Sequence, residues 1–237
     1  MAKLTLDELV TQLKAAFGDD LNSVVLYGSA AGGEHNPKRS DQNVLVIVKQ
    51  VPMSAAKAIA ATARAWADAG NPPPLVFKAE EWRGSADIFP MEYADILERN
   101  RVLYGAAPFD GITVSKTDLR LQLENEAMGK LLHLRQAVLA SAADDKKLLE
   151  LMAASASAIM VIFRATCRMH GVVPDRDNAR LVDQVAKLAG VDPEPFRRVV
   201  QVSRGEKAVP NADALATIAG YVGGMETLVS HLDRFTG

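Results

Sequence analysis

The chain has 237 residues, of which 49% are hydrophobic and 24% charged, and its formal net charge at pH 7 is −2. A chain of this size can bury the core of one large domain or of two smaller ones. The nearly balanced charge gives no reason to expect broad electrostatic binding to an anionic membrane or to nucleic acid, so neither is an expected partner.

Cysteine content and hydropathy set the expected compartment. Cys167 is the single cysteine, which excludes an internal disulfide and is typical of the reducing cytoplasm. The N-terminus turns polar within a few residues, which predicts no signal peptide. The longest apolar run, near 159–163, is interrupted by Arg164, so we expect no membrane span.

Residues 1 to 114 alternate between helical and strand patterns. A capping box from Thr5 to Glu8 begins the first helix, and Gly18 ends it. The other predicted elements are strands at 24–27, 44–48 and 75–77, an alanine-rich helix from Ser54 to Gly70, and strand or short-helix segments at 89–96 and 102–104. This order predicts a mixed β-sheet with helices on its faces.

From residue 115 to residue 237 the patterns are almost entirely helical. Five helices are predicted, at about 119–138, 148–169, 177–188, from 192 onward and 211–235. Helices of this length joined by short loops are typical of an all-α bundle. We therefore predict a second domain over this range.

The segment from residue 26 to residue 48 carries the main functional pattern. A strand ends in Gly28-Ser29, eleven residues intervene, and a second strand begins with Asp41-Gln42-Asn43. Gly28 has no Cβ, so its backbone can approach a phosphate closely, and Ser29 adds a hydroxyl donor. Residues 41 and 43 are two apart, so both side chains would point to one face of a strand.

This arrangement resembles the nucleotidyltransferase superfamily with the polymerase-β-like fold. The helical half is similar to the bundle that accompanies this domain in aminoglycoside nucleotidyltransferases. The resemblance implies that Gly28 and Ser29 hold the phosphates of a nucleoside triphosphate. Lys38, Arg39 and Ser40 in the loop are further candidates for nucleotide binding, and the ordinary explanation for Lys38 and Arg39 is a solvated turn. The resemblance also implies that positions 41 and 43 hold Mg²⁺, and that a nucleoside monophosphate is transferred to a hydroxyl of a small molecule or protein.

Two departures from the family pattern weaken the metal site. Position 42 is Gln where the family has an apolar residue, and position 43 is Asn where it has a second carboxylate. The amide oxygen of Asn43 can ligate a cation but cannot offset its charge, so we expect lower metal affinity. A catalytically inactive module that senses nucleotide or binds a partner is therefore the alternative function.

A further carboxylate is expected from the segment 86–96, to act as the base or as another metal ligand. The resemblance favours Glu92, which in the family lies in an apolar strand, and leaves Asp87 and Asp95 as alternatives. Three landmarks, at 40–44, 89–92 and 103–105, also resemble a set of bacterial proteins of unassigned activity that share the Asp-x-Asn pattern.

A further expectation concerns the helical half. Arg164 and His170 form an Arg-x5-His pair, which resembles the motif of HEPN-domain ribonucleases and gives RNA cleavage as a second alternative function. The ordinary explanation for His170 is a favourable interaction with a helix C-terminus. Substrate is expected in a cleft between domains, and a homo-oligomer is left open.

Overall fold

The computed structural model describes residues 4–31, 42–141, 144–204, 210 and 213–235. The chain divides into two compact units, Met1–Val114 and Ser115–Gly237. Among the described residues, all strands lie in the first unit, and the second unit is built from helices.

The first unit is a four-stranded mixed sheet with helices on both faces. Its elements are α1 (Leu6–Phe17), β1 (Leu21–Tyr27), β2 (Asn43–Val48), α2 (Met53–Asp68), β3 (Leu75–Lys78), α3 (Ala79–Gly84), α4 (Pro90–Glu98) and β4 (Asn100–Gly105). The strand order is β3-β2-β1-β4. β1 pairs antiparallel with β2 and β4, whereas β2 and β3 are parallel. The predicted mixed sheet is confirmed.

Local sequence signals explain where these helices begin. Both halves of the predicted capping box are present at the start of α1, between Thr5 and Glu8. The segment 89–96, which the sequence left open between strand and helix, is α4. Pro90 suits the first helical turn, where its missing N–H costs nothing. Met91, Tyr93 and Ile96 are buried along α4.

Strand alternation divides the core of this unit between the two faces of the sheet. Val44, Val46 and Val48 pack with α1 and α2 in one cluster. Leu45 and Ile47 pack in the other cluster with side chains of α3 and α4. Because side chains alternate along a strand, Asn43 is on the face of Leu45, beneath α3 and α4.

The second unit contains the five predicted helices. They are α5 (Lys116–Ala140), α6 (Asp145–Met169), α7 (Asn178–Ala189), α8 (Glu194–Arg204) and α9 (Ala214–Asp233). Ser115, Asp144 and Asp177 cap the first three of these helices through their side chains. Thirteen residues of α6 are buried, so this helix forms the centre of the unit.

Helix α6 is also the one described helix whose length and composition would allow it to cross a membrane. Its mean hydropathy over the best window is 1.7, and 56% of that window is buried. Arg164 interrupts the apolar run within this helix, so the window differs from the uninterrupted span that the sequence excluded. A buried core helix has the same composition, so the burial of α6 explains its hydropathy.

Two neighbouring glycines of α9 are expected to respond oppositely to replacement by alanine. A Cβ at Gly224 would lie 2.8 Å from Cζ of Phe196 and closer still to Cε2. The Phe196 ring is fully buried and lies 5.0 Å from Phe163 and 4.7 Å from Tyr221, centroid to centroid, so it cannot move aside. We expect Gly224→Ala to lower the free energy of unfolding by about 1–3 kcal/mol in urea denaturation.

Gly223 supplies the matched control for that substitution. No atom lies within 4 Å of the position of its Cβ, and alanine has the higher helix propensity. Gly223→Ala should therefore raise the free energy of unfolding by up to about 1 kcal/mol. Equal destabilisation by both variants would contradict the close packing of α9 against Phe196.

Candidate functional site

The candidate site begins where β1 ends. Gly28 follows the last residue of β1 with a φ of +77°, a conformation that glycine adopts without the penalty of a Cβ. Its N–H donates to the carbonyl of Arg99 at 3.0 Å, and its carbonyl accepts from the N–H of Ala31 at 3.1 Å. These bonds fix a tight turn, and they occupy the Gly28 N–H, which is therefore not the donor that receives a phosphate.

Asn43 is held beside this turn by the register of the sheet. It pairs with Tyr27 across β1 and β2, so the first residue of β2 lies opposite the last residue of β1. A methyl group added to Gly28 would lie 3.5 Å from Nδ2 of Asn43. The two ends of the predicted motif that the structure describes, Gly28 and Asn43, are thus neighbours.

Asp95 approaches the same turn from α4. Its Oδ2 would lie 3.8 Å from a methyl group added to Gly28. Its Oδ1 accepts a short hydrogen bond from the guanidinium of Arg99, one helical turn further on. One carboxylate oxygen is therefore oriented by Arg99 while the other faces Gly28 and Asn43.

Aromatic side chains pack α4, the helix that carries Asp95, against α3. The rings of Trp82 and Tyr93 stack with centroids 4.0 Å apart. The Tyr93 hydroxyl donates to the carbonyl of Trp82 at 2.7 Å. Burial raises the pKa of Tyr93 to about 12, and the nearby Asp87 carboxylate adds to the shift, so this hydroxyl remains a donor well into the alkaline range.

The three carboxylates that the sequence offered as alternatives differ in their position relative to Gly28. Asp95 is the one that lies beside Gly28, whereas Glu92, the favoured residue, is exposed in the first turn of α4. Glu92 therefore lies on a helix, and the strand that the family resemblance implied at this point is not formed. Asp87 is exposed in the turn before α4. Any catalytic role for these three residues stays a prediction.

Several predicted residues lie outside the described part of the chain. They are Lys38, Arg39, Ser40 and Asp41. Ser29 is half-buried in the turn after Gly28. Asn43, Gly28 and Ser29 are thus the predicted nucleotide and metal positions whose surroundings are described.

The sequence patterns indicated neither Arg99 nor Asn71 as part of this site. Arg99 is 6% exposed and orients Asp95; the Asp-to-Arg spacing of four residues on a helix was the available signal. Asn71 accepts from the backbone N–H of Gln42 at 2.9 Å and so fixes the approach to β2. Tyr27 is half-buried against the cluster on the α3–α4 face, which is also the face of Asn43.

The described donors fit only one kind of magnesium site. Within the described ranges, no group of three His, Cys, Asp or Glu side chains is placed to hold a metal ion. Asp95 and Asn43 supply hard oxygen atoms, and Mg²⁺ is commonly held by one or two carboxylates together with substrate phosphates and water. The donor set therefore fits a magnesium ion that arrives with a triphosphate, and not one held by these side chains alone.

A separate cavity of about 430 Å³ lies near the start of β1, at the opposite end of this strand from Gly28. It is lined by Asn22 and Ser23 at the start of β1 and by Lys49, Trp82 and Arg83. Strand β1 runs the length of the sheet between this cavity and Gly28. The cavity is therefore distinct from the candidate site.

Arg164 and His170 each contact other helices of the second unit. Arg164 is 8% exposed and donates to Oδ1 of Asn178 at 2.9 Å. Nε2 of His170 lies 2.9 Å from Nε2 of His231. Burial lowers the pKa of His170, and the neighbouring His231 adds to the shift. These contacts are with α7 and α9, and they do not favour the ribonuclease interpretation.

The architecture of this chain is similar to that of a solved structure. The chain is similar to spectinomycin adenyltransferase AAD(9) from Enterococcus faecialis, solved with ATP and spectinomycin. The TM-score is 0.60 at 11% sequence identity, over 93% of this chain and 98% of that one. The chain has the nucleotidyltransferase fold of this protein. No family model matches the sequence, and no curated protein matches it.

Proposed function

We propose that this chain is a nucleotidyltransferase that transfers a nucleoside monophosphate from a nucleoside triphosphate to a hydroxyl of a small molecule. The observation that carries the proposal is the convergence of Asn43 and Asp95 on the turn at Gly28. The fold shared with a protein solved with ATP and spectinomycin supports both substrate classes.

Each residue of the site has a distinct task in this proposal. Gly28 leaves space for the triphosphate, since it has no side chain. Asp41 and Asn43 would hold a magnesium ion, and the negative charge of Asp95 beside Asn43 would strengthen this binding. The ion would supply charge neutralisation on the phosphates. Oδ2 of Asp95 accepts the proton of the acceptor hydroxyl. At the same time the oxygen of that hydroxyl attacks the α-phosphorus, and pyrophosphate leaves. Arg99 orients the carboxylate of Asp95.

Calorimetry with ATP and GTP, with and without magnesium, tests this proposal. We expect binding that requires magnesium and that weakens at least tenfold in Asp41→Ala, because the metal loses its charged ligand. Asn43→Asp should strengthen magnesium-dependent binding by restoring a second anionic ligand. Asp68→Ala, which removes an exposed carboxylate at the end of α2, is the matched control and should change nothing.

Two outcomes of that experiment would contradict the proposal. If neither ATP nor GTP binds in the presence of magnesium, the proposed binding site for these nucleotides is contradicted. Equal binding with and without magnesium would exclude metal-dependent transfer at this site.

The main alternative is a catalytically inactive module that binds nucleotide as a signal. It is favoured by the uncharged Asn43 and by the pairing of the Asp95 carboxylate with Arg99, which reduces the negative charge offered to a metal. Pyrophosphate release in the presence of ATP, magnesium and hydroxyl-bearing acceptors, spectinomycin first, separates the two functions. Nucleotide binding without release of pyrophosphate from the triphosphate, whichever acceptor is present, would favour the inactive module.

A further inference from the structure

Helix α5 carries apolar side chains on two opposite faces. Its inner face buries Leu119, Leu123, Ala127, Leu131 and Leu134 in the second unit. Its outer face exposes four large apolar side chains: Leu121 at 58%, Met128 at 42%, Leu132 at 47% and Leu139 at 82%. Four exposed large apolar side chains on one side of a helix are typical of an interaction surface.

These four residues, which we name the α5 stripe, lie along one line of the helix. Their spacings of seven, four and seven residues place them within about 20° of a common direction at 3.6 residues per turn. The stripe extends over about 27 Å. A repeat of this period is typical of a helix that packs along its length against another helix.

The stripe is symmetric about position 130. Leu121 and Leu139 are each nine residues from that position, and Met128 and Leu132 are each two residues from it. An antiparallel copy of α5 would therefore place Leu121 against Leu139 and Met128 against Leu132, in both directions. Self-complementarity is the property that a two-fold contact between identical chains requires.

The charges that flank the stripe have the same self-complementarity. A two-fold axis perpendicular to two antiparallel helices places the same flank of each helix on the same side. Glu124 and Arg135 share one flank, at six residues before and five residues after position 130. Glu124 of one copy would therefore lie beside Arg135 of the other, twice in the dimer.

Both charged side chains are partly exposed to solvent and can therefore make such a contact. Glu124 pairs with Arg120 at 2.6 Å and Arg135 pairs with Glu226 at 2.7 Å within the chain. Glu124 is 29% exposed and Arg135 is 48% exposed. The cross-contact would join these pairs into two four-residue networks of alternating charge. A parallel copy would place Glu124 of one chain and Arg135 of the other on opposite sides of the interface, so this contact would not form.

We propose that the α5 stripe is the interface of a two-fold symmetric dimer, in which α5 packs antiparallel against α5 of a second copy of this chain. Leu215 of α9, 57% exposed, lines the same apolar hollow as Leu139 and extends the contact at each end. The interface does not depend on the proposed transferase function.

Light scattering coupled to size exclusion, over a range of protein concentrations, tests the dimer. The wild-type chain is expected at twice the monomer mass. Leu132→Glu and Leu139→Glu should each weaken association at least tenfold, because each places two like charges in the apolar contact. Val173→Glu, at another exposed apolar residue (77%), is the matched control and should leave the dimer intact.

The outcomes of this measurement decide the proposal. A wild-type monomer at every concentration would overturn it, and so would a dimer that survives both α5 substitutions. Circular dichroism identifies any variant that fails to fold, and Leu139→Glu replaces a side chain already 82% exposed, so it does not disturb the core.

Cross-linking tests the antiparallel register. Chains with Leu121→Cys are mixed with chains with Leu139→Cys and treated with a short bismaleimide. Cys167, the single native cysteine, is buried and therefore protected from the reagent. The antiparallel register predicts cross-linked pairs in the mixture and none in either variant alone. Cross-links within the Leu121→Cys sample alone would indicate a parallel contact and overturn the proposed interface.

Discussion

Asp95→Asn is expected to weaken ATP binding about tenfold in the presence of magnesium and to strengthen it in the absence of magnesium. With the metal, the variant loses an anionic oxygen beside Gly28 and Asn43. Without the metal, it loses a negative charge that repels the phosphates and that offsets part of the Arg99 guanidinium charge, so the local charge becomes more favourable for the phosphates. Calorimetry under both conditions measures the two changes, and nucleotidyl transfer should fall by about 10²–10⁴-fold.

Glu92→Gln is the matched control for this prediction. Glu92 is exposed one turn earlier on α4, so its neutralisation should change affinity by less than about twofold. If Glu92→Gln produced the larger loss, the sequence-based choice of Glu92 would be right and the site built around Asp95 would be wrong.

The stability of the Asp95 variant has to be measured in parallel. Arg99 is 6% exposed, and removing the partner of a buried charge commonly costs about 3–5 kcal/mol. Asparagine keeps a hydrogen-bond acceptor for the guanidinium, so we expect a smaller loss. Urea denaturation gives its size, and the binding measurements use conditions in which the variant is folded.

Trp82→Ala is expected to lower the free energy of unfolding by about 3–5 kcal/mol. Trp82 is 1% exposed and stacks on Tyr93. Its indole N–H donates to the carbonyl of Pro108 at 2.6 Å. The substitution leaves a cavity beneath α4 and an unsatisfied carbonyl, so ATP binding should weaken together with stability. Urea denaturation followed by circular dichroism measures the first effect.

Ile88→Ala is the control for the loss of an apolar side chain near α4. Ile88 is 60% exposed in the turn before α4, so its truncation should change stability by less than about 0.5 kcal/mol. A comparable loss in both variants would mean that Trp82 does not support α4 in the way its contacts indicate.

The sequence predicted one side of the candidate site from local patterns. Gly28 and Asn43 end and begin two strands of strong β propensity, and a hairpin-like antiparallel pair brings such ends together. The choice of carboxylate could not be predicted in this way. Glu92 and Asp95 are three residues apart on α4, and the burial of Met91, Tyr93 and Ile96 decides which of the two faces Gly28.

By itself, the sequence determined the helices of the second unit, the capped start of α1 and the main strands of the sheet. These elements depend on caps, apolar periods and β-branched runs, whose effects extend over a few residues. The tertiary structure decided that 90–98 is a helix, that Arg99 orients Asp95, and that α6 is buried. These outcomes depend on contacts between distant parts of the chain, such as the bond from Trp82 to Pro108, and no local pattern contains that information.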